Sequence, residues 1–158
     1  MAVRLQREPF DAAAEAKALA RGRPDIGAVV TFTGICRGSE DGSPIAALTL
    51  EHYPEMAEAE IARHVAEAEQ RWALLGVTVV HRYGRTTPGE DIVLVVTASS
   101  HRQDAFAAAE FLMDYLKTRA PFWKQVEQAG STSWVDAKSA DDQAAGRWTA
   151  SCQDLAAE

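Results

Sequence analysis

The chain has 158 residues, 47% of them hydrophobic, and a formal net charge of −7. That length suits one domain whose core needs no disulfide or metal staple. An acidic chain is poorly suited to general binding of nucleic acid or anionic membrane, so any anion site must be a local cation cluster working against the overall field.

Two cysteines, Cys36 and Cys152, are too few for a disulfide framework or a thiolate zinc site, and they point to a reducing compartment. The opening MAVRLQREPF lacks the apolar core of a secretory leader. No apolar run reaches the ~18 residues of a membrane helix, and the expected location is the cytoplasm.

Residues 10–21, FDAAAEAKALAR, are rich in helix formers and end at Gly22 and Pro24. GAVVTFTG, 27–34, is a short β-branched and apolar run between glycines, which predicts a buried strand. RGSEDGSP, 37–44, has loop composition, and IAALTLEH, 45–52, predicts a second strand. Pro54 then opens a helix in which Met56, Ile61, Val65, Ala68 and Trp72 keep helical spacing.

After Gly76, VTVVHRYG predicts a third strand, and DIVLVVTAS follows the TTPGE turn as a fourth. A helix is expected from about Ser100 to Arg119, with Ala105, Phe106, Ala109, Leu112, Met113 and Leu116 as its apolar stripe. Pro121 stops it. TSWVDA, 132–137, is a candidate last strand and SADDQAAGRW a terminal helix. Strands in adjacent pairs argue for an α+β fold, with a mixed, mostly antiparallel sheet and helices packed on one face. The expected unit is one domain over 1–158, ordered from about 5 to 148, with a frayed C-terminal tail.

SSHRQDAF, 99–106, runs a strand directly into a helix. Ser100 and Gln103 form a Ser-x-x-Gln capping pattern, and His101 and Arg102 stand where free N–H groups could meet an anion. The ordinary reading is a capped helix with two solvated cations, although a first helical turn normally prefers acids. Lys117 borders the apolar stripe; it either snorkels at a helix end or reaches into a cleft. Arg119 is a helix-end charge. Lys124 follows the turn at Pro121, which can bring it back beside Lys117. Phe122 and Trp123 read as core or subunit-contact residues rather than a stacking platform. Arg37 ends the first strand beside Gly38, and Cys36 has no nearby histidine to make it a nucleophile. His52, His64 and His81 have no metal-ligand spacing, and no metal is expected.

Several segments together resemble the large, catalytic subunit of molybdopterin synthase. GAVVTFTGICRG, LTLEHYPEMAEAEI, VTVVHRYG, SSHRQDAF, FLMDYLKTRAPFWK and WVDAKSADDQAAGRW occur in that family's order from about Gly27 to Trp148. The resemblance implies an α/β hammerhead-type fold and a central homodimer. Each end of that dimer takes a small ubiquitin-like sulfur-carrier subunit, giving a heterotetramer. It implies a sulfurtransferase of molybdenum cofactor biosynthesis that needs no cofactor. Sulfur passes from the carrier's C-terminal Gly-Gly thiocarboxylate to cyclic pyranopterin monophosphate and builds the dithiolene of molybdopterin.

Carried over by position, the resemblance implies Lys117 and Lys124 as catalytic and Arg37, His101 and Arg102 as substrate-binding. Ile35, Cys36, Gln125 and Val126 are implied at the pocket edge, and Lys138 as a contribution across the dimer. Gln125 and Val126 depart from a more charged pair in the family, and Lys138 from an arginine.

The chemistry suits these residues. Substrate and sulfur donor are both anions, so cations must offset their repulsion. Arg37, His101 and Arg102 suit the phosphate. Lys117 suits the reacting centre, either as an acid–base with a lowered pKa or as a charge that stabilises the anionic intermediate. The alternative is a non-catalytic module that holds a carrier C-terminus or a phosphometabolite in the same cation cluster.

Overall fold

The computed structural model describes residues 1–135 and 139–150. Its first sheet has the order β1 (Ala2–Gln6), β5 (Leu74–Arg82), β7 (Asp91–Ser99), β2 (Ala28–Ile35). The β1–β5 pair is parallel; β5–β7 and β7–β2 are antiparallel. The central strands are buried on both faces, as their unbroken apolar runs require.

Side-chain alternation divides those strands between two clusters. Val77, Val79, Val93 and Val95 pack with Ile61 and Val65 of α2 (Pro54–Arg71) and with Leu112 and Leu116 of α3 (Arg102–Thr118). Val80, Leu94 and Val96 turn the other way, onto Ala16 and Leu19 of α1 (Ala12–Ala20). Helices therefore cover both faces of this sheet, not the one face expected from the sequence. Close approach of α1 also explains Gly76. A Cβ there would lie 2.8 Å from Leu19 Cδ1.

The second sheet runs β3 (Ser39–Glu40), β4 (Ser43–His52), β8 (Phe122–Gln128), β9 (Ser131–Val135), and β6 (Gly84–Thr86) pairs with β4. All of its pairs are antiparallel. Cys36, Ile45, Leu48, Leu50 and Val126 make its buried apolar side. Helix α4 (Ser139–Ala150) lies against α3, where Trp148 Nε1 donates to Asp114 Oδ2 at 2.7 Å.

The α+β class and the long elements agree with the sequence, but β2, expected to be buried, is an edge strand in which Val29 and Phe32 are exposed. β1, β3, β6 and β8 have no counterpart in it, and the single expected sheet is two. Helix α3 begins at Arg102, not Ser100. His101 is its N-cap without a side-chain cap bond, and the Ser99 hydroxyl instead accepts from His101 N–H at 3.2 Å. The Ser100–Gln103 capping box is therefore absent. Phe106 and Met56, both expected in apolar stripes, are 62% and 55% exposed.

Candidate active site

The two sheets meet in a cleft of about 430 Å³. Three segments build it. β2 ends with a register shift between Gly34 and Ile35, after which Ile35 pairs with Asp91 and Cys36 and Arg37 leave the ladder. Cys36 N–H then donates to Glu90 O, and Gly89 N–H donates to Cys36 O, both at 2.8 Å, so the strand end is tied to the β6–β7 turn. Helix α3 brings Lys117 in its last turn. Past Pro121 the chain reverses into β8. There Lys124 sits opposite Leu50 of β4 and Val135 of β9, on the side that faces the cleft.

Ile35, Cys36, Arg37, Lys117 and Lys124 thus line one cavity. Lys117 and Lys124 are brought together by the turn between α3 and β8, as the spacing suggested. Val126 is buried in the apolar cluster beneath the cleft. Gln125 alternates to the opposite face of β8, where its register partners are Thr49 and Trp134, and it is not brought to the cavity. His101 and Arg102 are at the other end of α3. Fifteen residues at 1.5 Å each place Arg102 ~22 Å from Lys117, too far for one chain to bring both to one small ligand. Lys138 lies outside the described residues.

Three titratable wall residues were missing from the sequence reading of the site. Glu40, on the two-residue strand β3, is buried, and its Oε2 accepts from Arg37 Nη2 at 2.6 Å and from Lys124 Nζ at 3.4 Å. It holds two of the three cations in place and offsets part of their charge. Nothing periodic marks a glutamate in a Gly- and Ser-rich loop, so only the fold reveals it. Asp141 of α4 adds a second carboxylate at the wall. His81 is the third. Its signal was available, because alternation along β5 puts it on the same inward face as Val77 and Val79.

The His81 ring stacks on Phe122 with centroids 4.0 Å apart, and burial pushes its pKa down to about 4. Burial also pushes the Cys36 thiol up, which leaves it protonated and a poor nucleophile. Among the described residues, no three His, Cys, Asp or Glu side chains gather as a metal site, and no helix is long and apolar enough to cross a membrane.

Fold and cleft together define an α+β domain with a cation-lined cleft where two sheets meet. Residues 5–119 match the MoaE protein family. The chain is 60% identical over 153 residues to the molybdopterin synthase catalytic subunit of Mesorhizobium japonicum, covering 96% of this chain and 95% of that one. It is 57% identical over 149 residues to the protein of the same name from Rhizobium meliloti, covering 93% and 95%. Among solved structures, a molybdopterin biosynthesis MoaE protein from Burkholderia ambifaria superposes with a TM-score of 0.80 at 48% identity, covering 94% of this chain and 99% of that one. The chain belongs to the MoaE protein family, the catalytic subunits of molybdopterin synthase. Its role is that of a sulfurtransferase subunit in molybdenum cofactor biosynthesis.

Proposed function

We propose that this cleft is where sulfur leaves the C-terminal thiocarboxylate of a small ubiquitin-like carrier and joins cyclic pyranopterin monophosphate. The observation that carries the reading is the convergence of Arg37, Lys117 and Lys124, from three separate segments, on one cavity of about 430 Å³ in a chain of this family. The reaction brings two anions together, and fixed cations offset their repulsion. Arg37, at the strand end, holds the cyclic phosphate with its planar guanidinium. Lys117 faces the acyl carbon and stabilises the oxyanion that forms there. Lys124, held by Glu40, fixes the carrier tail. Ile35 and Cys36 shape the wall, and Val126 supports it from below.

His101 and Arg102 enter through a second copy of the chain, since one chain keeps them ~22 Å from Lys117. A homodimer with a carrier at each end gives them a place at the partner's cleft, and Gln125 and Lys138 are assigned to the same composite edge. The domain spans 1–158 and works in the cytoplasm without a cofactor.

Reconstitution tests the reading. The protein, thiocarboxylated carrier and cyclic pyranopterin monophosphate are expected to yield the dithiolene. Tight carrier binding with no dithiolene would favour the non-catalytic module instead.

A further inference from the structure

Sulfur transfer uses the cations of the cleft but gives no task to a buried neutral base in its wall, His81. His81 is 7% exposed, yet its ring forms part of the cavity wall. Its Nδ1 lies 2.8 Å from the backbone oxygen of Arg82. A carbonyl only accepts, so Nδ1 carries the proton and Nε2 bears the lone pair. The Phe122 ring, 14° from coplanar, fixes the imidazole's tilt. Nε2 makes no hydrogen bond with any described residue, whereas both ring nitrogens of His64 have polar neighbours, Glu60 O and Arg63 Nη2. Burial, with Lys117 as a positive neighbour, keeps the ring uncharged at neutral pH. The site therefore holds an oriented lone pair close to the lysine assigned to the reacting centre.

The proposed reaction needs such a group. Once sulfur is bonded to the substrate carbon, the carrier's acyl carbon is still attached to that sulfur as a thioester. We propose that His81 Nε2 takes the proton from the water that cleaves this thioester and releases the carrier, an inference that rests on the sulfur-transfer reading. The water oxygen bonds to the acyl carbon as its proton passes to Nε2. The carbon–sulfur bond then breaks, and sulfur keeps the electron pair and takes the proton back from Nε2. The carrier departs with a carboxylic acid that ionises in bulk water. One water is consumed, and nothing is oxidised or reduced. Substrate itself makes the base stronger, because the phosphate and the developing oxyanion favour the imidazolium that burial beside Lys117 disfavours.

His81→Asn separates the two nitrogens. Its amide NH₂ replaces the Nδ1 donor to Arg82 and leaves nothing at Nε2. With thiocarboxylated carrier and cyclic pyranopterin monophosphate, this variant is expected to form dithiolene about 100-fold more slowly. Intact-mass measurement should show a covalent carrier–pterin adduct building up, and added imidazole should discharge it. Dithiolene formation at the wild-type rate, or a slow variant with no adduct, overturns the proposal. Should His81→Asn fail to fold, His81→Gln gives the same readout, because an amide oxygen accepts a hydrogen bond but not a proton. A wild-type protein that makes no dithiolene would instead sink the sulfur-transfer reading and this proposal with it.

Discussion

The two ends of α3 carry similar residues and do different work. At the N-terminus, His101 and Arg102 are exposed beside free backbone N–H groups, where the helix dipole attracts an anion. At the C-terminus, the dipole repels an anion, yet this is where the cleft lies and where Lys117 meets Arg37 and Lys124. Local electrostatics favours an anion at the first end; the packing of the second sheet puts the cation-lined cleft at the other. A helix dipole offers a fraction of a charge, and three converging side-chain cations outweigh it. The comparison teaches that a helix terminus is only a donor set. What makes a site is a second element that closes over it.

The sharpest way to break the comparison is Lys117→Ala. Loss of a donor aimed at a developing oxyanion costs about 10²–10³ in turnover. The substitution is expected to cost that much in single-turnover dithiolene formation while leaving the melting temperature close to wild type, because Lys117 is exposed. A variant that keeps near-normal turnover would move the reacting centre away from this end of the helix.

A second effect concerns the wall behind Lys117. The folded protein holds His81 near pKa 4, whereas an unfolded chain has it at 6.5. Between those values the unfolded state binds a proton that the folded state refuses. Stability is therefore intact above pH 6.5 and is lost as pH falls toward 4, by at most ~3.4 kcal/mol at 1.36 kcal/mol per unit. Burial lowers the His52 and His64 pKa values as well, which steepens the loss. Urea midpoints at pH 7 and pH 4.5 measure the total, and His81→Asn should flatten the dependence. An equal drop in the variant would assign the acid sensitivity elsewhere.

Smaller effects are expected at the Glu40 clamp. Glu40→Gln removes a buried negative charge from between Arg37 and Lys124. Inorganic phosphate should then inhibit about threefold to tenfold more strongly, since the cations gain roughly 1 kcal/mol of unshared attraction for an outside anion. Unchanged inhibition would mean that the clamp is inert.

What was legible in the sequence follows the range of the forces involved. The runs around Val77–Val80 and Val93–Val96 showed the buried strands, because alternation and β-branching are local. The partnership of Lys117 and Lys124 was legible through the proline turn between them. The joining of Arg37 to that pair was legible only through the family resemblance, since β2 and α3 are far apart in sequence. Three features were hidden for the same reason. Strand β8, FWKQVEQ, shows no clean alternation after the proline turn, and pairing with β4 makes it a strand. The Ser100 cap failed because Ser99 is fully buried, donates to Ala73 O at 2.8 Å and supplies the acceptor for His101 N–H itself. Glu40 had no pattern at all.

The composite site offers a test by mixing variants. If Lys117 of one chain works with Arg102 of its partner, a dimer of Lys117→Ala and Arg102→Ala chains has one doubly altered site and one intact site. Random mixing should then recover about a quarter of wild-type activity from two poorly active proteins. No recovery beyond the sum of the parents would leave the two ends of α3 unconnected.

The smallest effect belongs to Arg119, one helical step past Thr118. It faces a separate small cavity with His64, Phe111, Tyr115 and Trp148, away from Lys124. Its charge sits at a helix C-terminus where the dipole already favours it, and it is exposed to solvent. Arg119→Ala should therefore change stability by less than about 0.5 kcal/mol and leave dithiolene formation unaltered. A loss of turnover there would show that the cation cluster extends past the last turn of α3, and the division between reacting lysine and helix-end charge would have to be redrawn.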